Sequence, residues 1–145
     1  MLLASALEQA PGTGMPTLEQ DPTAYHARVR PDATAIVDAS TGEGLSYRAL
    51  DQLVADFAAA LARRHREGLV GQRIAMLGRN SVEQVVIALA CQRAGAIFVP
   101  LNWRLTAVEL QVLLADAAPV LLIYGQEFAG AALEAAAQAL SLIHI

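Results

Sequence analysis

The stretch GRNSVEQVVIALACQRAGAIFVPLNWRLTAVEL, residues 78–110, decides the fold. Ser81 with Gln84, Asn80 with Glu83, and Thr106 with Glu109 each offer a capping box, in which a side-chain oxygen takes an orphan amide and the acid or amide reaches back. These caps predict helices over 81–94 and 107–117. Gly95 supplies a left-handed stop for the first helix, and 96–99 (AIFV) is too short and too apolar to be anything but a buried strand. Pro100 then prevents that strand from continuing as a central one. Working outward, RIAML at 73–77 and VLLIY at 120–124 are strands of the same kind, so the unit is βαβαβ. Strands joined by helical crossovers become parallel neighbours, covered by helices and connected right-handedly.

Further out the pattern changes. TAIVD at 34–38, the turn STGEG at 40–44 and LSY at 45–47 predict a hairpin outside the parallel unit. Ser46 can cap a helix in which Leu50, Leu53, Val54, Phe57 and Leu61 recur at helical spacing, with Gly68 as its stop. Residues 1–24 mix Pro, Gly, Thr and acids without periodicity and read as a flexible leader, with Met15 as an alternative start. After the last strand, FAGAALEAAAQA at 128–139 is alanine-rich and helical, with no stop signal at 139. The final LSLIHI, 140–145, resembles the translation of an adapter used in sequencing libraries. It is expected to be an artefact, with His144 functionless and the natural frame running on past Ala139. The organisation read from the chain is a leader at 1–24, a folded part at 25–139 and this hexapeptide.

Composition limits the classes. The 145 residues are 55% hydrophobic before glycine is counted, with mean hydropathy +0.41, against about 45–50% with glycine included for ordinary domains. Gln92, Arg93 and Pro119 interrupt the apolar runs, so none reaches the roughly 18 residues of a membrane span. The apolar excess therefore calls for burial in protein. No basic segment precedes the first apolar residues, which argues against a secretion signal and for the cytoplasm. Cys91, the single cysteine, excludes an internal disulfide and reads as a buried thiol. The net charge of −4 and a lone basic run, RRHR at 63–66, give nucleic acid little purchase.

Ligands of open parallel sheets lie beyond the carboxyl ends of the strands, here 78–80, 100–104 and 125–127. None of these carries G-x-G-x-x-G or a P-loop. Ser81 lacks the G-x-S-x-G setting of a nucleophile and is a cap. His26, His65 and His144 stand without acids or thiols at ligand spacing and read as surface residues. Asp32, Asp38, Asp51, Asp56 and Asp116 are scattered solvated acids, and Trp103 with Arg104 braces the turn before Thr106. The residues describe an architecture, α/β with a partial doubly wound parallel sheet and covering helices, without a reaction.

The order and wording of the segments resemble the AMP-forming acyl-CoA synthetases of the adenylate-forming superfamily. P-D-A-x-A at 31–35, L-S-Y-x-x-L at 45–50, G-x-R-I-A at 71–75, N-S-V-E at 80–83, A-G-A-I-F-V-P-L-N-W-R-L-T-x-x-E-L at 94–110 and L-x-D-A-x-P-x-x-L-I at 114–123 carry it. The resemblance implies the N-terminal part of the large domain of a ligase that activates a fatty or aryl acid with ATP and Mg2+ and passes the acyl group to coenzyme A. The family's phosphate loop, aromatic-Thr-Glu motif, ribose-binding Asp and C-terminal lysine have no match in this chain, so no catalytic, cofactor-binding or metal residue is carried over. Pro100, Leu101, Asn102 and Arg104 are then scaffold, and the chain alone is expected to be inactive. The alternative is a free-standing doubly wound binding or interaction module without catalysis.

Overall fold

The computed structural model describes residues 21–65, 67–136 and 141–145. Its centre is a four-stranded, wholly parallel sheet of β3 (Arg73–Leu77), β4 (Ile97–Leu101), β5 (Leu121–Tyr124) and β6 (Ser141–His144), in the spatial order β4-β3-β5-β6. Helix α3 (Val82–Arg93) joins β3 to β4, α4 (Ala107–Ala117) carries the chain from β4 past β3 to β5, and α5 (Ala129–Ala135) joins β5 to β6. The βαβαβ reading is therefore met, with boundaries moved by a residue or two. The larger shift is in β4, which continues through Pro100, opposite Met76, to Leu101. Because β4 is an edge strand, the amide that proline lacks is not needed for a second ladder.

The side chains of β3 explain why both faces are covered. Ile74 and Met76 join the helices α2 (Tyr47–Arg64) and α3 through Leu50, Val54, Leu61, Val86, Ile87 and Cys91. Ala75 and Leu77 point the other way, to Leu110 and Leu114 of α4 and Ala132 and Ala135 of α5. Strand alternation thus divides one strand between two cores. The four residues are 0–2% exposed, and a buried Ile, Leu or Met side chain contributes about 1.5–3 kcal/mol. The layers are α2/α3, sheet, α4/α5, which is the doubly wound arrangement. Among the described residues no helix is long and apolar enough to cross a membrane.

The predicted hairpin is present as a separate two-stranded antiparallel sheet, β1 (Thr34–Val37) with β2 (Gly44–Ser46). Four local readings are corrected. The leader does not extend to residue 24, because Asp21 caps α1 (Pro22–Val29) by accepting the Ala24 N–H at 3.0 Å, while residues 1–20 lie outside the described residues. Helix α2 ends at Arg64, with His65 as its cap, and Gly68 instead takes φ +94° in the following turn. Only Ser81 caps α3, since a helix starting at Val82 has one N-cap position and Asn80 lies before it. Helix α5 stops at Ala135, because the chain must turn back to lay β6 beside β5; residues 137–140 lie outside the described residues. Gly95 does what was asked of it. At φ +74° it follows the last turn of α3, and a Cβ there would lie 3.1 Å from Val70 Cγ2.

One polar clamp ties the two N-terminal helices to α3. The Arg93 guanidinium donates to both Asp21 oxygens at 2.6 and 3.0 Å, to Thr23 Oγ1 at 3.0 Å and to Asp51 Oδ1 at 2.5 Å. Partial burial alone would raise the Asp21 pKa, but hydrogen bonds from Arg93, the Ala24 amide and Thr23 outweigh it and hold the carboxyl at about 2. A lowered folded pKa stabilises the fold above the ordinary value of 3.8, and that stabilisation disappears as pH falls toward about 2. Asp21→Asn should therefore cost about 1 kcal/mol at neutral pH, discounted for the clamp's partial exposure. Urea titrations of variant and parent sequence should converge between pH 4 and 2.

At the end of α4, Ala118 is the only described non-glycine residue with positive φ, at +42°. Its Cβ strains the left-handed cap that its N–H closes onto the Leu114 carbonyl. Ala118→Gly should raise the unfolding free energy by about 0.5–1 kcal/mol, the relief exceeding the extra unfolded-state entropy of glycine. A shifted urea midpoint at unchanged slope checks this.

Candidate functional site

In a doubly wound sheet the ligand crevice lies where successive connections leave in opposite directions. From β3 the chain departs through α3 on one face toward β4, and from β5 through α5 on the other face toward β6. The neighbours β3 and β5 therefore flank the switch point. Gly78 and Arg79 emerge from β3 there, and Gly125 leads from β5 into a single 3-10 turn, Gln126–Phe128. From the adjacent β4 come Asn102, Trp103 and Arg104, held in a turn by the Arg104 N–H donating to Asn102 Oδ1 at 3.1 Å.

A guanidinium bridges the crevice. Arg79 donates through Nε to Glu127 Oε1 at 2.9 Å and through Nη2 to Oε2 at 3.3 Å. Its planar group lies 4.2 Å from the Trp103 ring centre, Arg104 lies 4.3 Å from the same ring, and Phe128 packs 6.2 Å away. Three strand ends are thereby joined by one cation. The pair is more than half exposed, at 57% and 52%, so water screens it and it contributes about 0–1 kcal/mol. Beside Arg79 is a cavity of about 590 Å³ between the turn of the β1–β2 hairpin and the start of α3, lined by Asp38, Ser40, Asn80 and Ser81 among others. Asp38 is occupied locally. The Ser40 hydroxyl and amide and the Thr41 amide keep its pKa below the usual carboxylate range.

The arrangement can orient an anionic or aromatic group but holds no reacting pair. Ser81 Oγ accepts the Gln84 N–H at 3.3 Å and has no base beside it. Cys91 is wholly buried, and burial pushes its thiol up to about 12, far from reactive thiolate chemistry. Among the described residues no three His, Cys, Asp or Glu side chains lie together as a metal site requires. The residues present do not fit ATP with magnesium either. The glycines at the strand ends stand singly, the chain has no lysine, and of the two guanidiniums on the Trp103 ring Arg79 is already matched by Glu127.

The structure disperses most of the other candidate residues. Asp32 pairs with Arg48 at the surface, Asp56 accepts from Gln52, and Asp116 is exposed on α4. Asp51, read as solvated, belongs to the Arg93 clamp. His26 lies between the rings of Tyr25 and Tyr47, and exposed His144 lies near Tyr124. His65 departs from the surface reading, since its Nδ1 is buried without a partner at the end of α2. Trp103 and Arg104, read as bracing a turn without other convergent groups, do have them in Arg79, Phe128 and Glu127. Arg79 and Glu127 fall inside the strand-end segments 78–80 and 125–127 named from the sequence, which does not single them out or pair them. Their only signal is position, a polar residue within two of a glycine that ends a buried strand.

Comparison with known proteins places this geometry. The family model described as AMP-binding enzyme matches residues 23–144. An indoleacetate–CoA ligase of Aromatoleum aromaticum is 41% identical over 105 residues, covering 71% of this chain and 19% of the ligase. A feruloyl-CoA synthase of an Amycolatopsis species is 41% identical over 103 residues, covering 71% and 20%. Among solved structures, the N-terminal domain of FACL13 from Mycobacterium tuberculosis superposes with a TM-score of 0.76 at 29% identity, over 85% of this chain and 32% of that domain. The chain spans about a fifth of the length of the curated relatives it matches.

The Arg79–Glu127 bridge should behave as an exposed ion pair. A double-mutant cycle with Arg79→Ala and Glu127→Gln should give a coupling of about 0.5 kcal/mol in low salt that fades by 1 M NaCl. Denaturant midpoints of the four variants at both salt concentrations measure it.

Proposed function

The chain belongs to the family of AMP-binding enzymes, and we propose that it is the N-terminal part of an AMP-forming acid–CoA ligase several times its length. The parent joins a carboxylic acid to ATP, releasing pyrophosphate and leaving an acyl-adenylate, and then transfers the acyl group to the thiol of coenzyme A. Magnesium accompanies ATP, the substrate acid is fatty or aryl, and the enzyme works in the cytoplasm. The observation that carries this reading is the family match over residues 23–144. Relatives named for aryl acids and relatives named for fatty acids both support that range.

On this reading the present residues supply scaffold. They build the doubly wound sheet and fix the loop of Pro100, Leu101, Asn102 and Arg104, while the groups that touch the triphosphate lie in the rest of the parent. Without a preorganised cradle of amides and lysine, the chain alone has nothing to stabilise charge developing on a phosphate. The natural frame leaves this sequence near residue 139, and the hexapeptide at 140–145, of which Ser141–His144 form β6, derives from a sequencing adapter. Its pairing beside β5 needs no evolved partnership, because Leu142 and Ile143 suit any open parallel edge.

Amplifying the locus from source DNA and expressing the complete frame tests both statements. The frame should leave this sequence near Ala139 and continue into a Ser/Thr/Gly-rich loop. The complete protein should release pyrophosphate with an aryl or fatty acid, ATP and CoA, and the 145-residue chain should not exceed a protein-free blank. Pyrophosphate release by the short chain, or a genomic stop directly after Ile145, would sink the reading.

A further inference from the structure

Helix α4 is apolar on the wrong side as well as the right one. Leu110 and Leu114 face the sheet and are 1% and 5% exposed. The opposite face carries Val108, Val112 and Ala115, one turn apart, with Val108 66% and Val112 65% exposed. A helix at a domain surface turns charges outward, and one that is apolar all round is a buried helix. Only Glu109 and Asp116, with Gln111, interrupt the apolar surface of α4, and Glu109 is engaged in the capping box with Thr106. We propose that the Val108–Val112–Ala115 stripe is an internal docking surface, covered in the parent protein by an apolar segment of the same large domain from outside these 145 residues. The proposal rests on the reading of the chain as part of a longer ligase.

Three observations select that occupant. This chain covers only 32% of the solved N-terminal domain it superposes on, so most of a comparable domain remains to be packed against it. A second copy is disfavoured by size, since one stripe of small side chains falls far short of the roughly 1,200 Å² that a stable interface between separate molecules buries. Docking within one chain loses no translational freedom and tolerates a smaller surface. A lipid surface is disfavoured by charge. Interfacial helices line their polar face with Lys and Arg, and α4 has neither, only acids.

The buried Cys91 provides the means of testing this, because its thiol is shielded and a second cysteine on α4 can be read beside it. Val112→Cys is introduced into the complete parent, and alkylation of the peptide containing residue 112 is followed by mass spectrometry, native and in urea. Native labelling should be slower than labelling of the unfolded protein by at least about tenfold. In the 145-residue chain the same cysteine should react at nearly the unfolded rate. Equal rates in a folded, active parent overturn this inference alone, and protection that appears only on concentrating the parent would assign the face to a second copy and overturn it too. A reading frame that ends at Ile145 overturns this inference together with the proposed function. As a second variant, Val112→Asp should lower the melting temperature of the parent by several degrees while leaving that of the short chain nearly unchanged. Equal shifts in the two would count against the proposal.

Discussion

The two-sided burial of β3 is the constraint from which the rest of the structure follows. A strand with neighbours on both edges has no route to water for its side chains unless one face is left bare, and Ile74–Leu77 leave neither face bare. Two helical layers are then required, and each crossover must choose one. Helix α3 takes the face of Ile74 and Met76, and α4, having to pass β3 on its way to β5, takes the face of Ala75 and Leu77. The switch point between β3 and β5 is a consequence of that choice, not a separate design.

The parts of this arrangement that were legible in the sequence are those with local causes. The full capping box at Thr106, the one-way cap at Ser81 without a return bond from Gln84, the stop at Gly95 and the alternation between strand and helix each have a physical origin within a few residues. What was not legible depends on distant partners. Asp21 and Arg93 are 72 positions apart and Arg79 and Glu127 are 48 apart, so no window of helical or strand period holds both members. Asp21 before Pro22 was nevertheless a readable helix start, a cap followed by proline at the first position, hidden by the irregular composition around it. Pro100 shows the reverse error. Its effect on a strand depends on whether that strand is central or at an edge, which is a property of the sheet and not of the tetrapeptide.

The two guanidinium clamps divide structure from site. Arg93 sits at the end of α3, away from the carboxyl ends of the strands, with its side chain 21% exposed and two carboxylates and a hydroxyl around it. Removing either carboxylate leaves a poorly hydrated cation, which is why such a group holds helices together. Arg79 has one carboxylate, an aromatic face and water, at the position where doubly wound sheets bind ligands. Its bridge to Glu127 is cheap to open. The same side chain type therefore serves as a fastener where solvent is scarce and as an exchangeable contact where it is not.

The apolar excess of the chain has its explanation in the same geometry. A parallel sheet needs helices on both faces, and each helix that lies between the sheet and a further layer needs a second apolar side. Helix α2 does not meet that description. On α2 the outward positions carry Gln52, Asp56 and Arg63 among alanines, with Leu53 the one large exposed aliphatic residue. Helix α4 does meet it, with aliphatic residues at 108 and 112 where an outermost helix would carry Lys or Glu. The exposed apolar surface is thus greatest on α4, where Val108 and Val112 are about two-thirds exposed, against 43% for Leu53 on α2 and 38% for Val85 on α3.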